Sequence, residues 1–305
     1  MKGQVVRSTG LWYGVLGEDK KVYTCRARGK FRLDEIKSSN PLAVGDFVLF
    51  DHKEKEGNIT KILPRQNVIE RKSVKKTGHN HVLAANVDQA LLVATVKQPR
   101  TSLGFIDRFL VSAEAYRIPQ IVIFNKSDLL NATEKEKEAA LIGLYNSLHV
   151  QTLSISAIAD ENLDEIKNLL AHKTTLIAGH SGVGKSTMLN RLSDTINQSV
   201  GEISGFSEKG THTTTFAEMF QMDDDTFIID TPGVKEWGLA DMNEQEISDY
   251  FPEMRDRRLN CKFGSRCLHL TEPGCAILQA LEKNEIALSR YESYVSMVTH
   301  EDNRK

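Results

Sequence analysis

Gly179, His180, Ser181, Gly182, Val183, Gly184, Lys185 and Ser186, continued by Thr187, have the spacing of a phosphate-binding loop. The glycines let the backbone wrap a phosphate chain and aim its N–H groups at it. Lys185 brings a point charge to the β- and γ-phosphates, and the Ser186 hydroxyl is placed to ligate Mg²⁺. An apolar run at 175–178 precedes the loop and a helical pattern over 185–193 follows it. The phosphates would therefore face a helix N-terminus. A chance glycine-rich turn is the plain alternative, and the flanking strand and helix argue against it.

Two further motifs close apolar runs. Asp230, Thr231, Pro232 and Gly233 end the run 226–229. An aspartate there can hold Mg²⁺ through water, and the Gly233 N–H can reach the γ-phosphate. Asn125, Lys126, Ser127 and Asp128 end the run 120–124. The Asp128 carboxylate can accept from both N–H groups on the Watson–Crick edge of guanine, which selects GTP over ATP. Asn125 braces the loop, Lys126 can lie over the base, and Ser127 is counted with them among the nucleotide-binding residues. Ser156 and Ala157 end a further strand, where the Ala157 N–H would reach guanine O6.

Between the phosphate loop and Asp230 lies Gly210-Thr211-His212-Thr213-Thr214-Thr215. A first switch belongs there, with a threonine hydroxyl completing the Mg²⁺ shell. Thr214 is preferred and Thr213 is the close second. Gly233 is followed by Val234, whose apolar side chain cannot orient an attacking water. His212 is the nearest candidate for that task; the alternative is an exposed loop histidine. The order of motifs is unusual: the base-reading motif at 125–128 precedes the phosphate loop, and the Asp230 strand comes last. The same parallel sheet can form with its chain ends placed elsewhere, so the segment after Gly233 runs straight into the C-terminal part.

That part carries Cys261-x5-Cys267-x-His269-x5-Cys275. Three thiolates and one imidazole make a closed tetrahedral Zn²⁺ site of the structural kind. Free thiols with a chance histidine are the alternative, but three of the four cysteines falling within 15 residues speaks against it. Cys275 is expected to open a helix running from 276 to about 298, in a core of its own.

The elements that must position these groups are legible in outline. The 305 residues suggest two or three domains. The first ~65 alternate five short β-rich runs with turn signals, as in a small antiparallel barrel of the OB type. From about Val87, unbroken apolar strands (90–94, 120–124, 175–178, 226–229) alternate with helical patterns near 107–117, 133–148, 161–171 and 185–193. This is an α/β layout around a buried parallel sheet. The third helix is expected to start at Asp160 as a polar cap, with Leu163, Ile166, Leu169 and Leu170 on one face. Boundaries are placed at 1–66 for the barrel, 67–240 for the α/β centre and 241–305 for a mostly helical zinc-binding domain. Net charge is −2, yet residues 1–76 hold 17 Lys/Arg against 9 Asp/Glu. A basic module on an acidic body suits contact with a phosphate backbone, and a solvated charged surface is the plain alternative. No run approaches 18 apolar residues, and the N-terminus lacks a signal-peptide core, so no membrane association is expected and the cytosol is the expected location.

Taken together, these motifs and their order resemble the ribosome small-subunit-dependent GTPase A (RsgA) family, also called YjeQ or YloQ. The resemblance rests on Ala85-Asn86-Val87-Asp88, Ile106-Asp107-Arg108, the Asn125–Asp128 motif, the 179–187 loop, the 210–215 run, Asp230–Val234 and the cysteine cluster. It implies an N-terminal OB barrel, a circularly permuted P-loop GTPase centre and a C-terminal zinc domain. It implies hydrolysis of GTP to GDP with Mg²⁺, stimulated by the small (30S) ribosomal subunit, during late maturation of that subunit. It also implies rRNA binding by a monomer that is released on hydrolysis, with His212, Lys185 and Thr214 serving the reaction. Two other readings are carried: a permuted GTPase acting on the large subunit or another RNA, and an RNA-binding module that holds GTP without turnover. Intact Lys185, Ser186 and Asp230 argue against the last.

Overall fold

The N-terminal residues alternate apolar and polar side chains over runs of five to seven, and each run becomes a strand. They are β1 (Lys2–Ser8), β2 (Tyr13–Gly17), β3 (Val22–Ala27), β4 (Phe47–Lys53) and β5 (Glu56–Ile62). The computed structural model describes residues 1–9, 11–27, 42–54, 56–72, 80–193, 217–230 and 242–300. Strand pairing runs β1–β2–β3–β5–β4 and back to β1, which closes a five-stranded barrel. Val5, Val15, Cys25, Val48, Phe50 and Ile59 fill it. All five strands fall where the alternation puts them. A hairpin that the sequence reading does not include follows, β6 (Val68–Lys72) with β7 (Asn80–Ala85).

Further along come β8 (Gln89–Ala94), α1 (Leu103–Ala115), β9 (Gln120–Phe124), α2 (Ala132–Ser147), β10 (Gln151–Ser154), α3 (Leu163–Leu170), β11 (Thr174–Ala178), α4 (Lys185–Leu192), β12 (Glu218–Gln221) and β13 (Phe227–Asp230). The chain then forms short helices α5 (Glu244–Ile247) and α6 (Pro252–Arg255), followed by α7 (Ala276–Glu282) and α8 (Leu288–Val298).

These elements gather into two compact units. One comprises Met1–Leu91, Asp160–Ala178 and Lys185–Glu236; the other comprises Leu92–Ala159, Gly179–Gly184 and Trp237–Lys305. In the first, β11 and β13 are parallel and β12 is antiparallel to β13. β12 in turn pairs antiparallel with β1, Glu218 opposite Arg7, so the barrel and this sheet are one hydrogen-bonded surface. Asn86 and Asp88 tie the barrel's exit to the sheet. Asn86 Oδ1 accepts from the Gln66 N–H at 2.8 Å and its Nδ2 donates to the Gly45 carbonyl at 3.0 Å. Asp88 accepts from the Thr174 N–H at 2.7 Å. Helix α3 buries Ile166 and Leu170 as its periodicity requires. Its start differs from expectation: Asn162, in a left-handed conformation (φ 60°), is the cap residue, and no side chain caps the helix. Asp160, also left-handed (φ 57°), lies two residues before that cap.

In the second unit β9 and β10 are parallel. Ser102 caps α1 by accepting from the Phe105 N–H, and Asn131 with Glu134 forms a capping box on α2. The expected single helix over 276–298 is two helices. Asn284 turns left-handed (φ 57°), and the reversal carries Ile286 into the core at 2 % exposure. That core is shared: Val111 of α1 packs in one cluster with Phe251, Met254, Tyr294 and the three clustered cysteines. The C-terminal residues therefore have no separate core from α1, contrary to the expectation from sequence. Among the described residues no helix is long and apolar enough to cross a membrane.

A buried ionic cluster fastens α8 to α1. Arg290, 2 % exposed, donates from Nη1 to Asp107 Oδ1 at 2.7 Å and from Nε to Glu253 Oε1 at 2.7 Å. Its guanidinium lies 4.5 Å from the Phe251 ring centroid. The Tyr145 hydroxyl also donates to Asp107 Oδ1, at 3.0 Å. Burial pushes the Asp107 carboxyl up, and Arg290 opposes that push. Burial works against the Arg290 charge too, but Asp107 and Glu253 outweigh it and hold the guanidinium protonated.

Candidate nucleotide site and metal cluster

β9 is buried along Ile121–Phe124 and delivers Asn125, 3 % exposed, at its end. Asn125 ties its own turn to two others. Its Oδ1 accepts from the Ala157 N–H at 3.1 Å, and its Nδ2 donates to the Val183 carbonyl at 2.9 Å. One side chain thus joins the turns that carry Asn125 and Ala157 to the loop that carries Val183. Lys126 adopts a left-handed conformation (φ 70°) and donates to the Gln98 carbonyl at 2.5 Å and the Gly182 carbonyl at 2.6 Å. Ser127 donates its N–H to the Ile155 carbonyl at 3.0 Å. Asp128 remains exposed, oriented by the Ser156 hydroxyl, which donates to Oδ1 at 2.6 Å. The other carboxylate oxygen and the open face suit a base edge with two donors. Asp128→Asn puts an amide donor against one of those donors. Losing a hydrogen bond to a charged group costs about 1.5–3 kcal/mol, so GDP affinity should fall roughly 10- to 150-fold and xanthosine diphosphate should become the better ligand in a competition titration. Equal affinity of the native protein for ADP and GDP would sink the assignment.

The phosphate loop needs glycine at 184. Its φ is +95°, and a Cβ there would sit 2.3 Å from Asn125 Nδ2. Gly184→Ala should therefore break the Asn125–Val183 link and lower affinity for GTP and GDP alike, by at least about tenfold on the loss of one buried hydrogen bond with strain added. Fluorescent-nucleotide binding measures it. His180 of the loop lies against Phe105 of α1, with ring centroids 3.8 Å apart.

In the first unit, α4 opens on Lys185, followed by Ser186 and Thr187, both exposed. Burial lowers the Lys185 pKa, with Asp230 countering. Burial raises Asp230, with Lys185 countering. Two charges at strand and helix ends are thus held partly away from water, the arrangement that phosphate and a cation satisfy. Thr211, His212, Thr213, Thr214 and Thr215, and likewise Thr231, Pro232, Gly233 and Val234, lie outside the described residues.

Cys261, Cys267, His269 and Cys275 are all buried and bring one ligand atom each to within 4.8 Å of the others. The Cys261 and Cys275 sulfurs are 3.9 Å apart, and His269 Nδ1 is 3.5 Å and 3.3 Å from them. Zn–S bonds of about 2.3 Å put tetrahedral corners about 3.8 Å apart, so the four atoms fit that ion. Burial pushes the Cys267 thiol up to about 12 and lowers His269, so these two groups are neutral until a cation draws the thiol proton off. The loop is braced from outside. Glu272 accepts from the Leu268, Leu270 and Thr271 N–H groups at 2.6, 2.8 and 3.0 Å. Tyr291 and Tyr294 of α8 donate to the His269 and Leu268 carbonyls, each at 2.8 Å. His269 itself is left-handed (φ 54°).

The motif residues stand out in the sequence by type and spacing, whereas the residues that support them do not. Arg290, Phe105 and Gln98 carry no motif of their own. Asp107 stands in the quoted Ile106-Asp107-Arg108 triplet, whose role becomes visible only with Arg290 beside it.

The sequence profile of the RsgA N-terminal domain matches residues 2–59, and that of the RsgA GTPase matches residues 62–240. The chain belongs to the RsgA GTPase family. Relatives named small ribosomal subunit biogenesis GTPase RsgA include one from Christiangramia forsetii, 47% identical over 99% of this chain and 97% of the relative. Another, from Bacteroides fragilis, is 46% identical over 100% of this chain and 98% of its own. Two solved structures share the fold. YjeQ from Thermotoga maritima has a TM-score of 0.79 at 34% identity and covers 100% of this chain and 99% of its own. YloQ, described as a circularly permuted GTPase, has a TM-score of 0.75 at 31% identity, with coverages of 100% and 96%. The chain is thus an RsgA-family GTPase with a closed N-terminal barrel, a permuted centre and a C-terminal Cys3His cluster, as the motif order implied.

Proposed function

We propose that this RsgA-family GTPase serves late maturation of the small ribosomal subunit, binding its rRNA and leaving when GTP is hydrolysed. The observation that carries this reading is full-length similarity to relatives named for that subunit's biogenesis. Asn125, Lys126, Ser127, Asp128, Ser156 and Ala157 would take the guanine, and residues 179–187 the phosphates. Ser186, Thr214, Asp230 and the Gly233 N–H would serve the Mg²⁺ and γ-phosphate end. Cys261, Cys267, His269 and Cys275 would hold one structural Zn²⁺. The functional modules are residues 1–66, 67–240 and 241–305, in a cytosolic monomer.

His212 is our choice for orienting the attacking water, since Val234 is apolar. Steady-state turnover with and without purified small subunits tests the whole reading: stimulation by orders of magnitude is expected, because this chemistry is mostly positioning and electrostatics. His212→Ala should lose that stimulation and keep GTP affinity. Stimulation by large subunits instead would redirect the reading, and full stimulated turnover in the variant would remove His212 from it.

A further inference from the structure

Outside the nucleotide site, the first unit carries a half-open cleft of about 430 Å³ where the barrel meets β12. Val6, Trp12, Tyr13, Val22 and Met219 give it apolar walls, and Arg7 and Glu218 stand among its lining residues. Gly14 keeps it open: a Cβ there would lie 3.3–3.7 Å from Arg7, Val22 and Val6, the same residues that line the space.

Trp12 is already fixed. Thr9 donates to its carbonyl twice, from the N–H at 2.9 Å and from the hydroxyl at 3.3 Å. The Arg26 guanidinium stacks on its indole, 3.7 Å from the ring centroid, with Arg26 itself exposed. Arg7 binds Glu218 across the β1–β12 pairing, with Nε 2.7 Å from Oε1, while the Arg7 side chain stays 63% exposed. An ordered aromatic plate backed by one guanidinium, with a second beside an apolar slot, matches a nucleobase and its phosphate. The surrounding module has the charge for it, 17 basic against 9 acidic residues over 1–76.

We propose that this cleft is a stacking site for one unpaired base of single-stranded RNA, formed jointly by β1, β2, β3 and β12. It rests on the rRNA-binding reading above and names where and how one base is held.

Trp12 and Trp237 are the two tryptophans of the chain, so full-length Trp237→Phe protein reports on Trp12 alone. It is titrated with a single-stranded hexaribonucleotide, with a duplex RNA, and with inorganic polyphosphate. Anisotropy of labelled RNA is read in parallel. Quenching by the single strand only is expected. Trp12→Ala should raise the RNA dissociation constant about tenfold, the scale of one lost stacking contact. Val22→Glu, at a position 57% exposed and hence safe for folding, should do the same while leaving GTP affinity unchanged. RNA binding without quenching, and unaffected by either variant, would overturn the stacking site and leave the rRNA reading standing. Equal quenching by polyphosphate or duplex would also overturn it. Failure of any RNA to bind would remove both readings together.

Discussion

Cys267→Ser, or removal of zinc by a chelator, is expected to melt the C-terminal helices and to take guanine-nucleotide affinity down with them. Structural zinc contributes about 10–16 kcal/mol in small zinc-dependent peptides, more than most domains' entire stability. Here the clustered cysteines are themselves core residues beside Val111, Phe251 and Tyr294. Without a cation, three thiols and an imidazole are left buried against one another. The same core backs α1, whose Phe105 lies on His180 of the phosphate loop. Two-probe melting, by circular dichroism and by bound fluorescent GDP, checks this. Metal-free protein that keeps both its melting temperature and its GDP affinity would disprove the structural role.

Arg290→Met should be the most damaging single change away from the metal and the nucleotide. It leaves Asp107 and Glu253 facing each other without their shared cation, and breaking a buried pair in this way costs about 3–5 kcal/mol. Urea unfolding gives the size. Combining Arg290→Met with Asp107→Asn should recover part of the loss, because one of the two orphaned carboxylates is gone; a purely additive double variant would mean the two residues do not act as a pair. The Asp107–Arg290 distance of 2.7 Å makes strong coupling the expected outcome.

Which features could be seen in the sequence follows from how local their causes are. The barrel strands announce themselves because each alternates inward and outward residues, as Phe47–Lys53 does with Val48 and Phe50 buried. The site motifs are legible because phosphate and guanine impose residue types at fixed spacing. β12 was not expected, being four residues, Glu218–Gln221, with polar ends. The break at 283–287 was hidden because one residue, Asn284, takes a conformation its neighbours do not signal. The Arg290 cluster was out of reach of any local pattern, since its partners are 183 and 37 residues away. Asp107 stands in the Ile106-Asp107-Arg108 triplet, yet its spacing alone says nothing about which cation it meets.

The pairing of Arg7 with Glu218 spans 211 residues of chain. During synthesis at about 5–20 residues per second, β1 waits roughly ten to forty seconds before β12 exists. The barrel strands are made first and can close early, but the side of β1 that β12 will cover stays open through that interval. Such distant pairings also slow folding in a test tube, since loop closure must precede any gain from the contact. A rearranged chain that places β12 just before β1 would shorten that separation to a few residues. Refolding of that chain should be faster than refolding of the natural order, with the difference lying in the rate of joining the barrel to the sheet.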